Sequence, residues 1–421
     1  MPYMEQLASG AVFSLPKKGL NVSGTGFIRN GKTFTGLGIN HYSLFLNSLT
    51  DMGVGGVTTT LADITAIKQT WGLPFIRASI GWYDRTSWYQ KYYLDKANYY
   101  AKLDECIANC ENRGIGFIPA LFWSLRGFCD MTYDVYGTFS PMSALADKTS
   151  NAWALASTYI TEVVTRYKES SAIWAWGLGN EIVNACGPEY HSSWAPDGSA
   201  AAWLNWGTRP GGGTYLATDK MTMAQWREFS RNCVELIRSL DPYGRFISGA
   251  SPIGNSFAVT AQTSNSFAAD SIAQWNSAAY GLPWVIYREQ AFDVVCNHIY
   301  PHNVGNGMFF SGGNGKTHGE LIALTKGWAD AYNKPFFLEE FGSTYHGDPV
   351  DQTSTDLATE TANFQSALDA IAANGVKVGA AWNYGGNFSG GAAWMKWKMS
   401  DPSKSYQLQM LATANAAMSN S

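Results

Sequence analysis

AIWAWGLGN (172–180) is a nine-residue run of apolar, aromatic and small residues that ends in Asn180 and is followed at once by Glu181. A short continuous run of this kind reads as a strand buried on both faces, the pattern of a parallel sheet covered by helices. An amide and a carboxylic acid are costly to bury in such packing without partners, so they mark where the strand leaves the core and meets something polar.

Seven other stretches have the same character. They are TFTGLGIN (33–40), PFIRAS (74–79), GFIPALFW (116–123), RFISGA (245–250), FDVVCNHIY (292–300), PFFLEEFG (335–342) and VKVGAAWN (376–383). Between them lie amphipathic patterns such as KLDECIANCENRG, NAWALASTYITEVVTRYKES and MAQWREFSRNCVELIRSLDP, several of which close on Gly, Asn or Lys as helix ends do. The interval between the fifth and sixth strands has the weakest helical pattern. Eight strands alternating with helices predict parallel pairing through right-handed crossovers, and eight such units close into an α/β (β/α)8 TIM barrel. The chain reads as one domain over residues 1–421, with a short N-terminal hairpin (about 1–34) that turns at Asn30-Gly31 and caps the barrel's base. The long irregular stretches, near 122–148, 182–220, 250–270 and 299–316, all follow strands. In a barrel of this kind that is the face that carries chemistry.

Composition narrows the partners. A net charge of −4 without a Lys/Arg cluster argues against nucleic acid or an anionic membrane surface. The 17 Trp, 22 Tyr and 21 Phe include many in segments that read as loops, such as GWYDRTSWYQKYY and AAWLNWGTRPGGGTY, where aromatic rings suit stacking on sugars. The chain has no charged, apolar leader and no run of membrane-spanning length, so it is expected to be soluble, and secreted if it is a processed mature form. A monomer is expected. The six Cys imply no disulfide framework, and only Cys129 and Cys186, both in expected loops, are left as a pair.

Glu181 at the end of strand four calls for a complement, and PFFLEEFG ends strand seven in Glu339-Glu340. Alternation puts Phe336, Leu338 and Glu340 on one face, so Glu340 is expected to face the barrel axis while Glu339 leans outward. Two carboxyls across the mouth are what glycosidic hydrolysis needs: one protonates the leaving oxygen, the other attacks the anomeric carbon. Arg77 and the Tyr300 hydroxyl are placed to hold Glu340 ionised, and Asn180 to bind the sugar 2-hydroxyl. His298 would face the same cavity by alternation and bond the acid or the sugar, and Trp382 supplies a flat floor for a ring. Trp123 and His41 also fall at strand ends, with Trp82, Trp203 and Trp206 as further aromatic candidates. His298 and His302 are spaced as zinc ligands on a helix would be, but the stretch reads as a strand broken by Pro301, so no metal is expected, nor any cofactor.

The ordered set PFIRAS, WGLGNE, NHIYP, KPFFLEEFG and AAWN resembles the retaining glycoside hydrolases of family 5 and their clan, over nearly the whole chain. The resemblance implies a (β/α)8 fold with Asn180 preceding the acid/base Glu181, Glu340 as nucleophile, and Arg77, His298, Tyr300 and Trp382 in support. Many cellulase-type members carry a His at or after strand three. GFIPALFWSL has Phe122 and Trp123 there instead, which is closer to the endo-β-mannanase branch. The expected activity is retaining endo-hydrolysis of a β-1,4-linked polysaccharide, mannan or glucomannan first and β-glucan or cellulose second. The alternatives are an exo-acting or glycoconjugate-cleaving enzyme of the same clan, and a non-catalytic carbohydrate-binding barrel.

Overall fold

The structure, a computed structural model, describes residues 17–49, 58–182, 186–187, 208–249, 289–299, 318–342, 357–385, 398–402 and 404–419. Eight parallel strands form its centre: β1 (Gly36–Asn40), β2 (Phe75–Ser79), β3 (Gly116–Phe122), β4 (Trp176–Gly179), β5 (Ile247–Ser248), β6 (Val295–Ile299), β7 (Phe336–Phe341) and β8 (Val378–Ala381). They pair in the order β5-β4-β3-β2-β1-β8-β7-β6, which is the sequence order wrapped into a ring with one seam between β5 and β6. At the seam the Asp293 N–H donates to the Ile247 carbonyl at 3.1 Å, and its carboxylate accepts from the Ile247 N–H at 2.6 Å. The eight-stranded barrel expected from the sequence is therefore present and nearly closed.

The longer described α-helices are α1 (Thr58–Thr65), α2 (Lys96–Arg113), α3 (Leu125–Tyr136), α4 (Asn151–Tyr167), α5 (Met223–Leu240), α6 (His318–Ala331), α7 (Leu357–Ala373) and α8 (Ser405–Ser419). Their ends carry local signals. Helix α2 stops at Gly114 in the left-handed conformation, and α5 opens with a capping box in which Thr222 and Gln225 satisfy each other's backbone N–H. The interval between β5 and β6 lies largely outside the described residues.

Two apolar layers hold the barrel. Leu37, Ile39, Ile76, Ala78, Leu178 and Leu338 belong to the layer that faces the helices, whereas Phe75, Ile118, Ala175, Phe337, Val378 and Ala380 fill the interior. Gly38 on β1 leaves space for the interior ring of Phe75, because a Cβ there would sit 2.5 Å from it. The base is plugged by a small antiparallel sheet of Asn21–Ser23, Gly26–Arg29 and Lys32–Thr33, whose turn at Asn30-Gly31 has φ of 51° and 76° as a type I′ hairpin requires. Phe27 from this sheet packs edge-on against Phe246 in the interior layer.

Three readings need correction. The stretch 122–148 contains helix α3, which ends at Gly137 with φ of 71°. GWYDRTSWYQKYY is helical from Arg85 to Tyr93, opened by the Asp84 side chain accepting from the Ser87 N–H, and it buries Trp82, Trp88 and Tyr92 against Tyr99 and Tyr159. Trp82 is thus a core residue. Cys129 lies on α3 rather than in a loop and is a buried free thiol, which overturns its pairing with Cys186, whose side chain is outside the described residues.

Helix α8 closes the barrel from outside through Asn415. Its amide oxygen accepts from the Leu37 N–H and its amide nitrogen donates to the Leu37 carbonyl, both at 2.6 Å, which substitutes a side chain for strand pairing. Asn415→Ala leaves both buried backbone groups unpaired and is expected to cost about 2–4 kcal/mol in chemical denaturation. A change below about 0.5 kcal/mol would mean that water replaces the amide there.

Candidate active site

At the C-terminal mouth the interior layer turns from apolar to charged. Arg77, the third residue of β2, is wholly buried and is the hub. Its Nη1 donates to Asn40 Oδ1 at 2.9 Å and to Glu340 Oε1 at 2.8 Å, and its Nη2 donates to Asn180 Oδ1 at 2.9 Å and the Gly179 carbonyl at 3.2 Å. Its Nε lies 3.1 Å from Glu339 Oε1. Burial works against the guanidinium charge, but Glu339 and Glu340 outweigh it and raise the Arg77 pKa above its ordinary value.

The two acids of β7 differ from the alternation expected of them. Phe336 and Leu338 join the outer layer and Phe337 the inner one, so the regular strand turns Glu339 inward, not outward. The register against β6 then shifts between Asn297 and His298, and that against β8 shifts between Leu338 and Phe341. Such irregularities re-aim side chains, and this one brings Glu340 to the mouth beside Glu339. Both are buried. For Glu339 the burial that would raise the pKa is overcome by Arg77, His298 and Ser248, leaving its carboxyl below the usual range.

His298 on β6 connects the acids. Its Nδ1 is 2.9 Å from Glu181 Oε1 and 3.2 Å from Glu340 Oε2, and its Nε2 is 3.4 Å from Glu339 Oε2. Glu181 follows β4 with a φ of 48°, a left-handed conformation uncommon for a residue with a side chain and frequent at functional sites. One carboxylate oxygen of Glu181, one of Glu340 and a ring nitrogen of His298 all lie within 4.8 Å of one another. These three could in principle ligate a cation. Both oxygens of Glu340 already face partners within the protein, however, Oε1 at the Arg77 guanidinium and Oε2 at the His298 ring.

Aromatic residues form one side of the mouth. The half-buried Trp382 ring lies nearly parallel to that of Trp123, with centroids 6.3 Å apart, and Trp123 meets Tyr42 at 4.7 Å. His41 is wholly buried behind Tyr384, with Nε2 2.8 Å from the Asp63 carboxylate of α1, so its side chain serves the wall and not the opening. Tyr300, Trp203, Trp206 and His302 lie outside the described residues.

Asn40, Ser248 and Tyr42 take part in this arrangement without having been singled out from the sequence, and Glu339, expected to lean outward, takes part as well. Asn40 fixes Arg77 while its amide nitrogen donates to the Glu339 carbonyl at 3.0 Å, and the Ser248 hydroxyl donates to Glu339 Oε1 at 2.9 Å. Both end a strand candidate or nearly so, and a polar residue at that position was the available signal.

The sequence model described as Cellulase (glycosyl hydrolase family 5) matches residues 29–387. The chain belongs to glycosyl hydrolase family 5. Over 186 residues it is 29% identical to mannan endo-1,4-beta-mannosidase A of Podospora anserina, a match that spans 41% of this chain and 48%, about half, of that relative. Its fold is that of the family 5 mannosidase of Rhizomucor miehei, with TM-score 0.61 and 15% identity over 96% of this chain and 98% of the other. The endo-1,4-beta-mannanase of the same organism superposes with TM-score 0.60 at 16% identity, covering 96% and 100%. Among the described residues no helix is long and apolar enough to cross a membrane.

Proposed function

We propose that this protein is a retaining β-glycosidase that hydrolyses β-1,4-linked polysaccharide by double displacement, with mannan or glucomannan as its first substrate and β-glucan or cellulose as its second. The single observation that carries this reading is the approach of Glu181 and Glu340, whose facing oxygens lie within 4.8 Å. Retention needs carboxyl groups about 5–5.5 Å apart, whereas inversion needs a gap of about 6.5–9.5 Å to admit a water between acid and base. The matched mannan endo-1,4-beta-mannosidase supports the choice of sugar.

In this reading Glu340, held ionised by Arg77, attacks the anomeric carbon as Glu181 protonates the departing oxygen. Glu181 then takes a proton from water, which displaces Glu340 and restores the starting configuration. His298 hydrogen-bonds Glu181 and stands 3.2 Å from Glu340, and so stabilises Glu181 in the interval when it has given up its proton. Asn180, already fixed by Arg77, presents its amide beside the acid for the sugar 2-hydroxyl, and Trp382 backed by Trp123 forms a platform for a ring face. The chain acts as one catalytic domain and as a monomer, with no cofactor in the scheme.

The test is release of reducing sugar from mannan, glucomannan, soluble cellulose and mixed-linkage glucan, with the Glu340→Ala protein as blank. Activity on mannan and glucomannan that is absent from the blank is expected, giving a spread of oligosaccharides if cleavage is internal and a single short product if it is terminal. No release from any of the four would move the weight to glycoconjugates or to a binding-only barrel.

A further inference from the structure

The proposed reaction gives Glu339 no task, yet it is the most enclosed carboxylate of the site. It is wholly buried, and it is anchored by the Ser248 hydroxyl at 2.9 Å. Its Oε1 faces Arg77 Nε at 3.1 Å and its Oε2 faces His298 Nε2 at 3.4 Å. Arg77 turns its Nη1 and His298 its Nδ1 toward Glu340, so Glu339 meets each of these two side chains at a different nitrogen from the one the nucleophile meets.

The His298 ring therefore has carboxylate oxygens at both nitrogens. A neutral imidazole has one N–H and one lone pair, and either tautomer would aim that lone pair at a carboxylate; only the doubly protonated ring presents N–H to both sides, as a hydrogen bond to Glu181 at Nδ1 and as an ion-pair contact with Glu339 at Nε2. The groups that face it are Glu181 from the end of β4 and Glu339 and Glu340 from β7, while Arg77 from β2 shares the last two as a competing cation. Asn297 beside it turns away, donating to Thr325 on α6 at 3.0 Å.

We propose that Glu339 is a positioning residue: anchored by Ser248, it orients the His298 ring and keeps it in the imidazolium form, so that Nδ1–H is offered to both reacting carboxylates. Its kinetic consequence rests on the reaction proposed above. Burial by itself would lower the His298 pKa, but Glu340, Glu181 and Glu339 together push it up to about 9. Removing the charge of Glu339 removes part of that support, so His298 should lose its proton at lower pH, and activity that needs the imidazolium should fall away at lower pH with it.

Glu339→Gln keeps the shape and an acceptor for Ser248 while deleting the charge. We expect kcat to fall by about 10–100-fold with KM within about threefold, and the alkaline limb of the pH profile to move down by about one pH unit or more. Glu339→Asp, which keeps the charge but withdraws it, should lose rate with the limb nearly in place. The direct readout is the 15N histidine NMR titration, with the His298 signal assigned from a His298→Gln sample. In the native protein His298 should stay protonated above about pH 8, and in Glu339→Gln it should titrate at least about one unit lower. An unmoved His298 titration in a folded Glu339→Gln protein would overturn the inference, whatever the loss of rate. A native His298 already neutral at pH 7 would overturn it even if the variant did not fold. The titration needs no substrate, so a shifted His298 in a protein inactive on every β-glycan would refute the proposed reaction and leave the role of Glu339 standing.

Discussion

Glu340→Ala is expected to lose about 10⁴-fold or more in kcat, and Glu181→Ala about 10²–10⁴-fold, because the first removes the atom that forms the covalent bond and the second only the proton that assists it. Rates alone would not assign the roles, since both acids lie against the same nitrogen of His298. Azide with an aryl β-glycoside would. In Glu340→Ala the anion fits the space vacated by the nucleophile and attacks from that side, giving a glycosyl azide of inverted configuration. In Glu181→Ala the glycosyl-enzyme still forms, and azide, needing no general base, displaces Glu340 to give the retained anomer. NMR of the two azides decides it. Exchanged anomers would swap the residues, and near-native rates in either variant would remove that residue from the mechanism.

Arg77→Met should have the largest effect on stability. The guanidinium is the partner of two buried carboxylates and joins Asn40, Gly179 and Asn180, so its loss leaves Glu339 and Glu340 side by side without it. Removing one member of a buried ionic group costs about 3–5 kcal/mol, chiefly from the charge left behind. Lysine should rescue little, since an ammonium cannot reach five acceptors spread over the planar fork. If unpaired charge is the cause, the double change Arg77→Met with Glu339→Gln should recover part of the loss. Denaturant titration of the four proteins measures this. A cost below about 1 kcal/mol for Arg77→Met would show that water or His298 compensates and that the hub is not needed for folding.

The barrel was legible because every strand is a short apolar run and each ends where polarity returns, as in GLGIN, PFIRAS and WGLGNE. The same contrast exposed Glu181, Arg77 and the Glu339-Glu340 pair. What alternation could not give was the face of either acid. A register shift beside Leu338 and another at His298 break the two-residue period at the site itself, and no local residue pattern announces them. Aromatic content was equally ambiguous. Trp82 and Trp88 look no different in sequence from Trp123 and Trp382, and only packing against Tyr99 and Tyr159 separates core rings from those at the mouth. Helix α3 was hidden because LRGFCDMTYDVY contains few strong helix formers; contacts around Phe128 and Cys129 hold it, although Gly137 did mark its end. Asn40 and Ser248 were readable by position, as polar residues at strand ends, but their roles depend on the acids they hold.

The approach of Glu181 and Glu340, with facing oxygens within 4.8 Å, suits a covalent glycosyl-enzyme better than the wider gap of an inverting pair. Proton NMR of the first product released from a β-1,4-linked manno-oligosaccharide, read before mutarotation, tests it most directly. The β anomer is expected first and the α anomer only as the reducing sugar equilibrates; an α anomer as the first product would mean inversion and rule out a covalent role for Glu340.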